Sequence, residues 1–327
     1  MSPFRAARPD AEAQWLLDLI KTRNSPRMDS FANAADARAL FAANCKPLDL
    51  PQTEMADVVD HRIADATGAH KMLVRDYRPK SLPPSQASGG KAAALVYLHG
   101  GGWVVGSPDT HDNICRLMAE RAGARVFSVD YRMGPEHRFP AAVDDALAAA
   151  YWVRREAAAR RIDAARLAVG GDSAGGNLAA VVAIAARDAG DLPIAYQLLI
   201  YPATDMRRIA PSHSSNGQGY LLTSDTMQYF HDHYIDEVKH DVDWRASPLL
   251  APSLANLPPA LVLTAGFDPL CDEGMDYAVR LTESGNRAVH VCFERQIHGF
   301  ITMGRVFDDA NTAVALCAAE LRRALAD

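Results

Sequence analysis

A chain of 327 residues, 49% hydrophobic and 23% charged, has the composition of a globular protein with a sizeable core, long enough for one large α/β domain or two ordinary ones. Its formal net charge of −6 lacks the basic face that a nucleic-acid or anionic-membrane partner would require. The most apolar run, residues 178–186, is about half the ~20 residues of a membrane span.

In chain order, Trp15, Leu16, Leu19 and Ile20 recur at helical spacing within residues 11–23, and residues 35–43 also read as helix. Arg5 and Arg8 are followed by Asp10 and Glu12, which break the apolar run that a signal peptide needs, so a cytoplasmic location is expected. Two strands are expected at 58–63 and 71–77, then a Pro-, Ser- and Gly-rich loop at 79–91, exposed and open to proteolysis. Strands and helices then alternate: strand 93–98, helix 112–122, strand 125–129, helix 141–159, strand 166–169, a helix from Ala174 and strand 195–201. Such alternation implies a mostly parallel sheet with helices on both faces. It breaks between 203 and 245 and resumes with strand 260–264, helix 273–284, strand 288–293 and helix 311–325. The expected organisation is an N-terminal arm (1–45), an α/β core (46–202 and 247–327) and an insertion (203–246), arm and insertion together forming a cap. Five cysteines, Cys45, Cys115, Cys271, Cys292 and Cys317, odd in number and without Cys-x-x-Cys spacing, read as reduced buried thiols rather than a disulfide framework or a zinc site.

The chemistry centres on Leu167-Ala-Val-Gly-Gly171-Asp-Ser173-Ala-Gly175. A short strand, a tight turn and a helix with Ser173 at the apex make a nucleophile elbow, whose flanking glycines allow close approach of neighbouring backbone. In that arrangement an acid and then a histidine follow in chain order, each in a loop at the carboxyl end of a later strand. Asp268 follows strand 260–264 and His298 follows strand 288–293. Asp272, Glu273 and Glu294 are rival acids; Asp272 and Glu273 open a helix, where an N-terminal capping role suffices. Leu98-His-Gly-Gly-Gly-Trp103 follows another strand, and with the amide of Ala174 the amides of Gly101 and Gly102 would form an oxyanion hole. His99 reads as orienting that loop. A dinucleotide-binding reading of Gly100-x-Gly102-x-x-x-Gly106 fails because Ser107-Pro-Asp109 occupies the place of the helix. His233, Glu237 and His240 would share a helical face, but their segment reads as a solvated amphipathic helix and no metal is expected.

His99-Gly-Gly-Gly-Trp103, Gly171-Asp-Ser-Ala-Gly175, Asp268-Pro-Leu and His298-Gly-Phe, in this order, resemble the hormone-sensitive-lipase-like (bacterial family IV) carboxylesterases of the α/β-hydrolase superfamily. Asp130-Tyr-Arg132, Pro135-Glu-His137 and Phe139-Pro-Ala141 resemble it too, with Met133-Gly134 in place of the usual Leu-Ala. The resemblance, from about Leu95 to Gly299, implies an α/β-hydrolase fold of about eight strands with a helical cap. It also implies Ser173, Asp268 and His298 as triad, Gly101, Gly102 and Ala174 as oxyanion hole, no cofactor, and homodimers.

The expected activity is hydrolysis of small esters with short- to medium-chain acyl groups, rising with pH as the His298 imidazole loses its proton. Trp15, Leu16 and Phe31 of the arm and Tyr220, Leu221, Met227 and Phe230 of the insertion are candidates for the pocket wall, and Trp103, Tyr220, Leu221 and Phe230 for substrate contact. An amidase would use the same triad, and a non-catalytic binding module would use the same scaffold. A parallel screen of esters and amides separates the three.

Overall fold

The computed structural model describes residues 5–65, 67–82 and 90–326. The loop expected at 79–91 lies largely outside the described residues. Among the described residues eight strands form one sheet: β1 (Asp57–Ala64), β2 (Lys71–Arg78), β3 (Ala92–Leu98), β4 (Arg125–Asp130), β5 (Ile162–Asp172), β6 (Tyr196–Ile200), β7 (Ala260–Phe267) and β8 (Ala288–Ile297). Their order is β1-β2-β4-β3-β5-β6-β7-β8. Only β1 with β2 and β2 with β4 are antiparallel; the other neighbours run parallel. Every residue of β3 is buried, as a strand covered on both faces requires.

On one face lie helices α1 (Ala11–Thr22), α3 (Asp112–Ala122) and α9 (Asp308–Ala324), which bury Leu16, Met118 and Val314 against the sheet. On the other lie α4 (Ala141–Arg155), α5 (Ala174–Ala189) and α8 (Cys271–Glu283). The remaining helices, α2 (Ala34–Leu48), α6 (Pro211–Ser215) and α7 (Ser224–Tyr234), belong to the arm and the insertion. A separate apolar cluster joins Ala34 and Ala37 of α2, Val104 and Val105 after the glycine loop, and Leu222 and Phe230 of the insertion. Arm and insertion therefore meet above the carboxyl ends of the central strands. Among the described residues no helix is long and apolar enough to cross a membrane.

Element types follow the sequence closely, and the boundaries differ where tertiary contacts decide them. The helix expected at 141–159 ends at Arg155, because the chain turns through Arg161 (φ 56) and the Ile162 amide bonds the Ala157 carbonyl at 2.7 Å. The strand expected at 166–169 extends over Ile162–Asp172, paired with β3 on one side and β6 on the other. The segment after α7 is not a continuous helix. It breaks at Ile235 and continues as a short 3₁₀ turn, Val238–Val242. Of the cysteines expected to be buried, Cys45 and Cys292 are only partly so.

Candidate active site

Between β5 and α5 the chain makes the sharp turn that the glycines foreshadow. Ser173 sits at φ 56, ψ −117, a sparsely populated conformation for a residue with a side chain. Its amide bonds the Ile200 carbonyl at 2.8 Å, which anchors the turn to β6. A Cβ on Gly175 would lie 1.8 Å from the Leu98 carbonyl oxygen, and one on Gly171 2.2 Å from the same atom. Only glycine lets the elbow nest against the end of β3, and the hydroxyl is left at the positive end of α5.

The three residues expected to converge do so. Ser173 Oγ lies 3.0 Å from His298 Nε2, to which its hydroxyl donates, and His298 Nδ1 donates to Asp268 Oδ2 at 2.6 Å. Asp268 is fully buried, and its second oxygen accepts from the Leu270 amide at 2.9 Å. Asn216 of the insertion donates to the carbonyls of Gly266 (3.0 Å) and Asp268 (3.1 Å), pinning the acid's turn from above. The His298 ring lies 4.6 Å, centroid to centroid, from that of Tyr201. Two of the rival acids, Asp272 and Glu273, are engaged elsewhere, and not in capping their own helix. Asp272 accepts from Arg5 and from the Ser212 amide at 2.9 Å. Glu273 accepts from the Thr204 amide at 2.6 Å and from His213 at 2.5 Å. Both carboxylates fasten the root of the insertion to α8. Burial raises the pKa of Glu273, an effect offset in part by His213.

Beside Ser173 runs the glycine loop. Gly101 and Gly102 have φ of 124 and 59, and their amides donate to no acceptor among the described residues. The Ala174 amide, in the first turn of α5, has no acceptor within its helix either. His99 is wholly buried, stacked on Tyr131 at 4.3 Å, and its Nδ1 donates to the Gly100 carbonyl at 2.8 Å. Burial, reinforced by His111, lowers its pKa to about 3, so it is a neutral strut for the loop.

A group that the sequence reading passed over ties this loop to the elbow. Asp172, buried next to Ser173, accepts from Tyr97 Oη (2.8 Å), the Gly100 amide (3.0 Å) and His111 Nε2 (3.3 Å). Burial alone would raise its pKa, but the proximity and hydrogen bond of His111 together with the Tyr97 bond overcome that and hold it below the ordinary carboxylate value. The stabilisation is therefore complete above the unfolded carboxylate pKa of ~3.9 and is lost as pH falls through the depressed folded value. Asp172→Asn, which gives up charge-assisted bonds each worth about 1.5–3 kcal/mol, is expected to lower the melting temperature at neutral pH. The gap to wild type should close on acidification, as thermal melts across the acid range would show; a constant gap contradicts this role.

The arm is held over the loop by Arg38 of α2, which donates to the Val104 carbonyl (2.8 Å), the Gly134 carbonyl (2.7 Å) and Glu136 (2.6 Å). The neighbouring Arg132 forks onto fully buried Asp145, with its closest contact 2.7 Å. These pairs give the Asp130–Ala141 stretch its physical purpose. Beneath the arm and insertion opens a cavity of about 530 Å³ lined by Gly101, Gly102, Ser173 and His298 below and by Leu16, Tyr220, Leu221, Met227 and Phe230 above. The Phe230 ring lies where a Cβ on Gly102 would fall. Trp103 borders the same space, but the residue is only 5% exposed and its ring stacks on Tyr234 at 4.7 Å. Two expected wall residues do not line the cavity: Trp15 is 56% exposed, and Phe31 packs instead against the cluster of Ala34, Val104 and Phe230. His233, Glu237 and His240 do not share a helical face, because α7 holds His233 but ends at Tyr234, before Glu237 and His240. The His233 ring bonds the Tyr229 carbonyl at 2.8 Å, and the cluster that does form is Asp236, Glu237 and His240 on the surface.

Known proteins carry this architecture. A family model described as an α/β hydrolase fold matches residues 95–302. The chain is 43% identical over 275 residues to the carboxylic ester hydrolase LipN of Mycobacterium tuberculosis, covering 82% of this chain and 70% of that one. It is 42% identical over 258 residues to ethyl acetate hydrolase of Pseudomonas putida, covering 78% and 80%. Among solved structures, LAE6, an α/β-hydrolase enzyme from the metagenome of Lake Arreo, superimposes with a TM-score of 0.91 at 40% identity, covering 97% of this chain and 99% of that one. By these matches the chain belongs to the α/β-hydrolase family, in its hormone-sensitive-lipase-like branch of carboxylic ester hydrolases.

Proposed function

We propose that Ser173 is the nucleophile, His298 the general base and acid, and Asp268 the carboxylate that orients it, in the hydrolysis of small esters with short- to medium-chain acyl groups. The observation that carries this reading is the unbroken hydrogen-bonded line Ser173–His298–Asp268, with steps of 3.0 and 2.6 Å. His298 Nε2 takes the hydroxyl proton as Oγ attacks the ester carbonyl, and Asp268 stabilises the imidazolium that forms. The developing oxyanion is met by the amides of Gly101, Gly102 and Ala174, donors that need no reorganisation during reaction. His298 then returns the proton to the departing alkoxide, and water repeats the sequence to release the acid.

The arm (1–45) and insertion (203–246) act as a cap that shapes the acyl pocket, with Trp103, Tyr220, Leu221 and Phe230 as contacts. A cavity of about 530 Å³ lies in the range of small-molecule sites, and a relative named for ethyl acetate points the same way. We expect kcat/KM across p-nitrophenyl acetate to octanoate to peak at a short or medium chain. Preference for long chains in emulsion overturns the substrate class. A cytoplasmic location and a homodimer complete the proposal, supported by composition and family resemblance and read by fractionation and size-exclusion chromatography.

A further inference from the structure

Two of the cysteines that the sequence scatters come together behind the triad. Cys292 lies on β8, paired in register with Thr264 of β7, so both side chains point to the same face of the sheet. Two residues earlier on that face, His290 bonds Thr264 Oγ1 at 2.9 Å. The first turn of α8 sits over this spot: a Cβ on Gly274 would lie 2.8 Å from the Thr264 methyl. Cys271, three residues before Gly274 and so on the same side of the helix, is buried and faces the Cys292 thiol closely enough for each to perturb the other. Cys292 is partly exposed, on the edge strand of the sheet. Neither thiol has a part in the hydrolytic steps.

We propose that Cys271 and Cys292 form an oxidisable dithiol that closes to a disulfide under hydroperoxide and thereby lowers esterase turnover reversibly. The Cys292 thiolate attacks a peroxide oxygen, breaking the O–O bond to give a sulfenic acid and one water; the Cys271 sulfur then attacks that sulfur, breaking S–O and releasing a second water. Two thiols lose two electrons and hydrogen peroxide becomes two waters. Cys292 is the less buried of the two cysteines and is the one that meets the oxidant first, with Cys271 behind it to resolve the sulfenic acid.

The consequence for turnover rests on the triad assignment above. Cys271 is the first residue of α8, and its amide bonds the Asp268 carbonyl at 3.1 Å. Two residues after Cys292 the chain enters the run to His298. Turning this non-bonded approach into a covalent bond draws the acid's turn and the histidine's strand together, and displacement of reacting groups by ~1 Å costs on the order of 100-fold.

The test treats the full-length protein with hydrogen peroxide, follows p-nitrophenyl acetate hydrolysis, and maps peptides by mass spectrometry before and after dithiothreitol. The expected result is a Cys271–Cys292 linked peptide lighter by two hydrogens, with activity falling by about 10-fold or more and returning on reduction. Cys271→Ser and Cys292→Ser should each keep their activity in peroxide. Absence of the linked peptide, its formation without loss of activity, or equal loss in both variants overturns the proposal. Ser173→Ala reports separately on the triad, and the linked peptide is read without reference to it.

Discussion

Ser173→Ala is expected to lower kcat for p-nitrophenyl esters by about 10⁶-fold, the scale of losing a nucleophile that works as one unit with its base. The substitution removes one atom, whose hydrogen bond goes to His298 at 3.0 Å. It leaves the backbone anchors in place, because the Ser173 amide still reaches the Ile200 carbonyl and its own carbonyl still accepts from Asn177 at 3.0 Å. Alanine inherits the strained φ of 56 with the same Cβ, so the melting temperature should stay at the wild-type value. Activity and stability are thereby separated. A variant that keeps more than about a hundredth of wild-type turnover, well above what an oxyanion hole alone supplies, would remove Ser173 from the chemistry.

Asp268→Asn is expected to cost about 10⁴-fold in kcat, for a reason more specific than loss of charge. One Asp268 oxygen accepts the Leu270 amide at 2.9 Å and the other faces His298 Nδ1 at 2.6 Å. In asparagine the remaining oxygen keeps the Leu270 bond, so the amide NH₂ is turned toward His298. Two donors then face each other unless the ring shifts its proton to Nε2, where it can no longer accept from Ser173. The nearby carboxylates offer no rescue, since Glu273 is committed to Thr204 and His213 and Asp272 to Ser212 and Arg5. Paired kinetics of Asp268→Asn and Asp272→Asn decide the matter: the first should collapse and the second stay within about 10-fold of wild type, a structural effect acting through the insertion. The reverse order contradicts the assignment.

The parts legible in the sequence were those whose physics is local. An elbow announces itself because glycines must flank Ser173 where backbone meets backbone, and Gly171 and Gly175 both abut the Leu98 carbonyl. Chain order then places Asp268 and His298 at successive strand ends, β7 and β8. Contacts between distant segments left no such trace. His111 stands 61 residues from Asp172, with nothing in its neighbours to mark the bond between them. Asn216 and Arg38 likewise acquire their roles only when the insertion and arm fold back over the strands. The same limit explains Trp15: helical spacing shows that α1 has an apolar side, yet tertiary packing decides which residue of it turns inward, and Leu16 is buried while Trp15 stays outside. Helix propensity also overran its bounds at Ala157-Ala158-Ala159, where the need to enter β5 wins.

The most direct test of the triad is to catch the covalent intermediate. Wild-type protein mixed with p-nitrophenyl butyrate and quenched in acid within the first turnover should carry one butyryl group, mapped by peptide mass spectrometry to Ser173 and absent from Ser173→Ala. Acylation at any other residue, or full turnover by the Ser173→Ala protein, would contradict the account.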